Sequence, residues 1–129
     1  MTQARLTKDV NVSVRTQYDP EQSDPRRHFY FFRYFITIEN KSNRVLQLLY
    51  RHWQITDSSG EFREVEGSGV IGQQPVLHPG DHFTYESGCN FTTDLGLMEG
   101  SYLMQDLETH ENLMVDIPEF RMEVPWKGN

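Results

Sequence analysis

The chain of 129 residues predicts an all-β domain, and three observations predict it. Apolar residues alternate with polar ones at period two, the pattern of half-buried strands. Clusters of Gly, Pro, Asn, Asp and Ser punctuate the chain at short intervals. No stretch of ten or more residues carries an apolar stripe at helical spacing with caps at its ends. Together these give a Greek-key β-sandwich of the fibronectin type III or immunoglobulin kind, with about seven or more strands. A small barrel is the competing arrangement.

Val10, Val12 and Val14 alternate with Asn11, Ser13 and Arg15 to make the first strand. Asp19 to Arg27, with Pro20 and Pro25 among polar residues, reads as a solvated loop. His28 to Glu39 is the longest strand, dense in the aromatic and β-branched residues that fit a pleated surface. Asn40 to Asn43 is a turn by composition, and Val45 to Asp57 supplies one long strand or two consecutive ones. Ser58-Ser59-Gly60 turns the chain into Glu61–Glu66, and a glycine-rich loop follows from Gly67 to Gly72. Gln73–Leu77 is extended, Pro79-Gly80 is a tight turn, and Asp81–Glu86 is a strand. Gly88 to Gly96 reads as loop, and Gly100–Leu107 and Asn112–Phe120 complete the strands. One domain over 1–129 is expected, with its core in about 10–120. The N-terminal segment and the tail 122–129 are expected to be loosely ordered.

Twelve Lys and Arg against nineteen Asp and Glu give a net charge of −7. That balance excludes broad binding to nucleic acid or an anionic membrane, because both require cationic residues that displace counterions. Cys89 is the single cysteine, so no internal disulfide forms, and a reducing compartment, the cytoplasm, is expected. The N-terminal residues lack the apolar run of a secretory signal, and no segment is apolar for long enough to span a bilayer.

Aromatic residues are 12% of the chain, and the long strand holds many of them. Tyr30, Phe32, Tyr34, Ile36 and Ile38 fall on one face and form the better core face. Phe29, Phe31 and Phe35 fall on the other, where a two-layer sandwich offers no second core. Either a loop or the tail with Trp126 covers them, or they form a surface for a protein partner or a second copy.

Gly67-Ser68-Gly69-Val70-Ile71-Gly72 matches G-x-G-x-x-G as a string. In a dinucleotide fold that motif leads from a strand into a helix whose N-terminus meets the pyrophosphate. Pro75, Pro79 and Gly80 leave no room for such a helix here. What survives is a loop of small residues whose N–H groups could form an anion nest, or whose glycines simply permit a tight connection. Arg51 either pairs with one of the many carboxylates at a strand edge, the favoured reading, or assists an anionic ligand; it shares a strand face with Trp53, while His52 points the other way. His78 and His82 are four apart, but Pro79-Gly80 between them forbids a metal-binding helix. The remaining histidines match no ligand spacing, so no metal and no cofactor is read from the sequence. Cys89 reads as a small buried residue, and no nucleophile–base signature points to an enzyme.

Several of these segments, in order, resemble the ApaG family, which also occurs as a domain in some eukaryotic F-box and polymerase-interacting proteins. The resemblance rests on Tyr18-Asp19-Pro20-Glu21-Gln22-Ser23, Tyr34 to Asn40, Arg51-His52-Trp53-Gln54-Ile55-Thr56-Asp57 and Glu66 to Leu77. Tyr85-Glu86-Ser87-Gly88-Cys89, Met98-Glu99-Gly100-Ser101-Tyr102 and Ile117-Pro118-Glu119-Phe120 extend it over nearly the whole chain. It implies a fibronectin type III-like sandwich, a cytoplasmic protein with no established enzymatic activity, and an indirect tie to cobalt and magnesium homeostasis. It further implies a pyrophosphate or nucleotide site at the loop of Gly67, Gly69 and Gly72, to which Ser68 belongs by position, and in the eukaryotic relatives a protein-binding role.

Overall fold

The computed structural model describes residues 2–126. Nine strands are present among them: β1 (Thr2–Thr7), β2 (Val10–Tyr18), β3 (Tyr30–Asn40), β4 (Leu46–Asp57), β5 (Phe62–Ser68), β6 (Val76–Leu77), β7 (His82–Phe91), β8 (Leu95–Asp106) and β9 (Asn112–Glu123). A single turn of 3₁₀-helix at Pro25–Arg27 is the only helical element described, and none is long or apolar enough to cross a membrane. Two antiparallel sheets form, one ordered β1-β2-β3-β7 and the other β5-β4-β8-β9, with β6 pairing onto β4. The chain changes sheet between β3 and β4, β6 and β7, and β7 and β8, which makes the predicted sandwich.

Alternation works as expected on β3. Phe32, Tyr34, Ile36 and Ile38 are buried against Val10, Val12 and Val14 of β2 on one side, and Trp53, Met98, Tyr102 and Phe120 of the facing sheet on the other. Tyr34, Trp53 and Phe120 meet across the two sheets with ring centroids 5.6 to 5.9 Å apart. Edge-on and tilted rings at that spacing add to the burial of apolar area.

Four expectations are corrected. The strand expected over Glu61–Glu66 continues through Gly67 and Ser68, because Arg51 and Tyr50 of β4 remain in register with them. Most of the expected loop 88–96 is strand: β7 runs on through Gly88 to Phe91 and β8 begins at Leu95. The N-terminal residues Thr2–Thr7 pair with Val10–Arg15 as β1. The tail is ordered further than expected, since β9 reaches Glu123, and Met122 and Val124 are buried; positions 127–129 lie outside the described residues. Pro118, which cannot donate to a ladder, sits in β9 where the register with β8 shifts, and among the described residues β9 has no strand paired on its other side.

Three buried polar side chains hold the connections. Asn40 donates to the carbonyls of Arg44 and Leu77 at 2.8 and 2.9 Å and accepts from Ser42. Asp57 accepts from Ser59 N–H, Ser59 Oγ, Glu61 N–H and Thr92 Oγ1, and Asp106 accepts from the N–H groups of Glu108 and Thr109. Burial alone would raise the Asp57 carboxyl, but these bonds together outweigh it and hold the group below its ordinary 3.8. The Glu108 N–H does the same for Asp106, with Arg44 assisting. Both groups therefore stabilise the fold fully above pH 3.8, and that contribution is lost as pH falls through their lower folded-state values. A double variant, Asp57→Asn with Asp106→Asn, is expected to have a lower urea midpoint at pH 7, with the gap from the parent narrowing below pH 4. A gap that stays constant down to pH 2 contradicts this assignment.

Candidate functional site

The two sides of the sandwich end differently. Along one side β9 packs against β1 and β2, with Arg5 paired to Asp116 at 3.0 Å and Asp116 N–H donating to Thr7 Oγ1. Along the other, β7 ends the first sheet and β5 ends the second, and among the described residues each pairs with another strand on one edge only. β5 overhangs the core, so Val65, which faces inward, is 39% exposed. Between the two edges lies a cleft of about 260 Å³ floored by Tyr34, Trp53 and Met98 and walled by Val65. Ser87, Gly88, Cys89 and Asn90 form its β7 wall, and Arg51 and Arg63 line its β5 side. A larger depression of about 500 Å³ lies over Phe120, but exposed charged side chains such as Glu119 and Arg121 wall it.

The two guanidiniums are held, not free-swinging. Arg51 Nη1 donates to the carbonyls of Ser68 and Gly69 at 3.0 and 2.9 Å. It can do so because Gly67 has no side chain: a Cβ there would stand 2.9 Å from the guanidinium nitrogens. Gly67 thus serves close approach, not a positive φ. Arg63 donates to Cys89 Sγ at 3.1 Å and to the Asn90 carbonyl, and lies 5.8 Å from the Phe91 ring centroid. It ties the edges together at one end of the cleft.

Behind the floor, the Tyr85 and Tyr102 hydroxyls meet at 2.5 Å and join the sheets. Burial raises the phenols of Tyr34, Tyr85 and Tyr102 above 10, so all three are neutral in the physiological range and none is a base. Burial likewise raises the Cys89 thiol, against the opposing pull of Arg63. Its polar neighbours are Arg63 and the Asn90 carbonyl, so no histidine activates it.

The glycine loop brings Gly67, Ser68 and Gly69 to Arg51, and Gly72 lies further out. Val70 and Gln73 exchange N–H···O bonds of 2.8 and 2.9 Å around Ile71 and Gly72, whose φ values are both positive. That is a tight hairpin turn of the I′ kind. Gly69 N–H donates to the Leu49 carbonyl. The N–H groups of Gly69, Val70 and Gln73 are thus engaged within the protein, and toward Arg51 the loop presents carbonyls. No helix follows, as Pro75 and Pro79 require; the chain goes on into β6.

The second face of β3 is more fully covered than its composition implies. Phe31 lies over Gly88, where a Cβ would come within 2.3 Å of the ring. Arg15, directly opposite Phe35, places its guanidinium 4.1 Å from that ring's centroid. Between them Arg33 pairs with Asp19 at 2.9 Å and Glu86 at 2.7 Å. Phe29, outside the strand and bridged to Asp24, is the exposed ring of the three. The expected cover by Trp126 is corrected: Trp126 packs 5.5 Å from Tyr18, whose own ring meets Phe32 on the core side.

A model of the ApaG domain matches residues 20–106 of this chain. The chain belongs to the ApaG family. Protein ApaG of Brucella canis is 44% identical over 120 residues, which span 93% of this chain and 92% of that protein. Protein ApaG of Methylocella silvestris is 41% identical over 121 residues, 94% of this chain and 92% of that one. A crystal structure of a Bordetella pertussis protein designated ApaA superposes with a TM-score of 0.88 at 44% identity, covering 91% of this chain and 94% of the other. The C-terminal domain of wzt shares the sandwich alone, at a TM-score of 0.57 and 9% identity over 96% of this chain and 77% of that one.

Period-two alternation puts Arg51 on the face of Trp53, where the structure has it, but the sequence carries no signal for Arg63, Ser87 or the cleft. Arg63 sits in a polar stretch with no motif, and only the overhang of β5 past the core brings it to β7. On the outer face of the same strands, His52 stands beside Glu64 and Glu66.

Proposed function

We propose that this ApaG-family domain is a non-enzymatic binding module that takes an extended acidic segment of a protein partner along the cleft between β5 and β7. The observation that carries the reading is the pair of edge strands flanking an apolar floor, with two fixed guanidiniums beside it. Edge strands offer main-chain donors and acceptors to an added strand, and alternate side chains of that strand reach the floor. In a chain of charge −7, Arg51 and Arg63 form a local cationic exception that suits a carboxylate flanked by apolar residues. Phe29, Phe31 and Phe35 support a docking face less well, since Gly88 and Arg15 engage two of the three rings.

Selection from a library of random extended peptides tests the reading. Acidic residues with apolar neighbours two positions away are expected among the selected peptides. Arg51→Ala and Arg63→Ala are each expected to weaken the best peptide at least tenfold, while Phe29→Ser leaves it unchanged. Equal binding by the Arg51→Ala/Arg63→Ala double variant rejects the cleft. Loss of binding in Phe29→Ser, or a change in solution mass with that substitution, moves the interface to the aromatic face and to self-association.

A second reading has one observation behind it, the contact of Arg51 with Ser68 and Gly69 beside an aromatic floor. An anionic nucleotide or pyrophosphate would set its phosphates against Arg51 and its base on that floor. Titration with ATP and diadenosine tetraphosphate, followed by amide shifts at Ser68, Gly69 and Ser87, separates it from the peptide reading. No shift at millimolar ligand removes it.

A further inference from the structure

The outer surface of β4 and β5, on the side away from the cleft, carries a second cluster. His52 lies directly opposite Glu66, and Glu64 lies opposite Gln54, one diagonal step away. Glu64 and Glu66 are two apart on one strand, so both project to the same face as His52. His52 Nε2 is 2.7 Å from Glu64 Oε2 and 3.6 Å from Glu66 Oε1, and one ligand atom from each of the three lies within 4.8 Å of the others. Tyr50 OH donates to Glu66 Oε2 at 3.2 Å, which turns the other oxygen of that carboxylate toward the imidazole.

From this geometry we infer that His52, Glu64 and Glu66 bind a divalent first-row transition-metal ion, of the zinc or nickel class. Bonds of about 2.0–2.2 Å to an imidazole nitrogen and a carboxylate oxygen place tetrahedral ligand atoms about 3.3 Å apart. The two distances from His52 bracket that spacing, so a metal is accommodated by small side-chain rotations on a paired backbone. Charge favours it too. Among the described residues no Lys or Arg pairs with Glu64 or Glu66: Arg51 and Arg63 of the same two strands face the cleft, and nearby Arg5 is paired with Asp116. Two carboxylates therefore share one imidazole, which neutralises at most one of them. The mixed nitrogen and oxygen donors decide the class, because imidazole suits zinc, nickel and copper, whereas magnesium prefers oxygen and retains its water. The three side chains are between 27% and 55% exposed, so the remaining coordination positions are open to water or to a donor from a partner. This site is independent of the cleft reading, and its failure leaves that reading untouched.

Calorimetric titration of the full chain with zinc chloride, and separately nickel chloride, in a non-chelating buffer tests the inference. One site per chain is expected, weakened at least tenfold in His52→Ala and in Glu64→Gln, with millimolar magnesium failing to compete. Zinc is expected to shift the His52 ring and the Glu64 and Glu66 amide signals while leaving His78 and His82 unmoved. The substituted groups are partly exposed, so the metal-free variants are expected to retain the parent amide spectrum, which separates lost ligation from lost fold. Absence of binding overturns the inference, as does binding of equal strength in both variants or zinc shifts centred on His78, His82 or Cys89.

Discussion

Trp53→Ala is expected to lower the unfolding free energy by about 3–5 kcal/mol, the usual cost of removing a large buried ring. Trp53 is 3% exposed and touches Tyr34 from the first sheet and Phe120 from its own, so its removal opens a void that both sheets border. The strands around it are mutually paired and cannot collapse independently, which places the loss toward the upper end of that range. Denaturant unfolding of the two proteins measures it. Trp126, 58% exposed at the end of the sandwich, supplies the contrast, with Trp126→Ala expected within about 0.5 kcal/mol of the parent. Similar losses at the two positions would mean that the aromatic triad is not central to the core. Because Trp53 also floors the cleft, the more conservative Trp53→Phe is the variant for asking whether a partner uses that ring.

Gly69→Ala is expected to cost more than the 1–2 kcal/mol or so that a left-handed backbone alone imposes on an L-residue. Gly69 has φ +60°, and an added Cβ would lie 2.1 Å from the Gln73 carbonyl oxygen, a backbone atom that cannot swing aside. That carbonyl accepts the Val70 N–H, and the neighbouring Gly69 carbonyl accepts from Arg51, so the hairpin and the Arg51 contact are expected to fail together. Gly72→Ala meets open space and faces only its φ of +75°, so it is expected to show the smaller loss. Unfolding midpoints of the two variants, with the Arg51 side-chain NMR signals as a local probe, decide between them. Equal losses would show that φ alone, and not the Gln73 carbonyl, explains why glycine stands at 69.

This contrast changes the meaning of the glycine string. As letters, Gly67-Ser68-Gly69-Val70-Ile71-Gly72 matches a phosphate motif. In the fold each glycine has a separate local reason: room for a guanidinium at 67, a backbone near-collision at 69 and a turn at 72. The prolines that follow rule out a dinucleotide helix from the sequence alone, a constraint local to the chain, and the chain continues into β6. The letters do not show that the Gly69 N–H is used by Leu49, because that partner is fixed by pairing at a distance.

Period-two alternation was enough to determine the fold class, the inward face of β3 and the opposite orientations of Arg51 and His52, because side-chain direction along a strand is a property of the backbone itself. The order of motif segments was enough to indicate the family. Register, edges and overhang belonged to the tertiary structure. Only the pairing of β4 with β5 places His52 opposite Glu66, and only the ending of the two sheets at β5 and β7 places Arg63 beside Cys89. A shift of one residue in that pairing would turn Arg63 and Val65 outward and Glu64 and Glu66 into the cleft. Nothing in the strand's own alternation forbids this, because β5 is exposed on both faces. Its register is held instead by the local hairpin at Ser58-Ser59-Gly60 and by a fit across the pairing, the Arg51 guanidinium over Gly67.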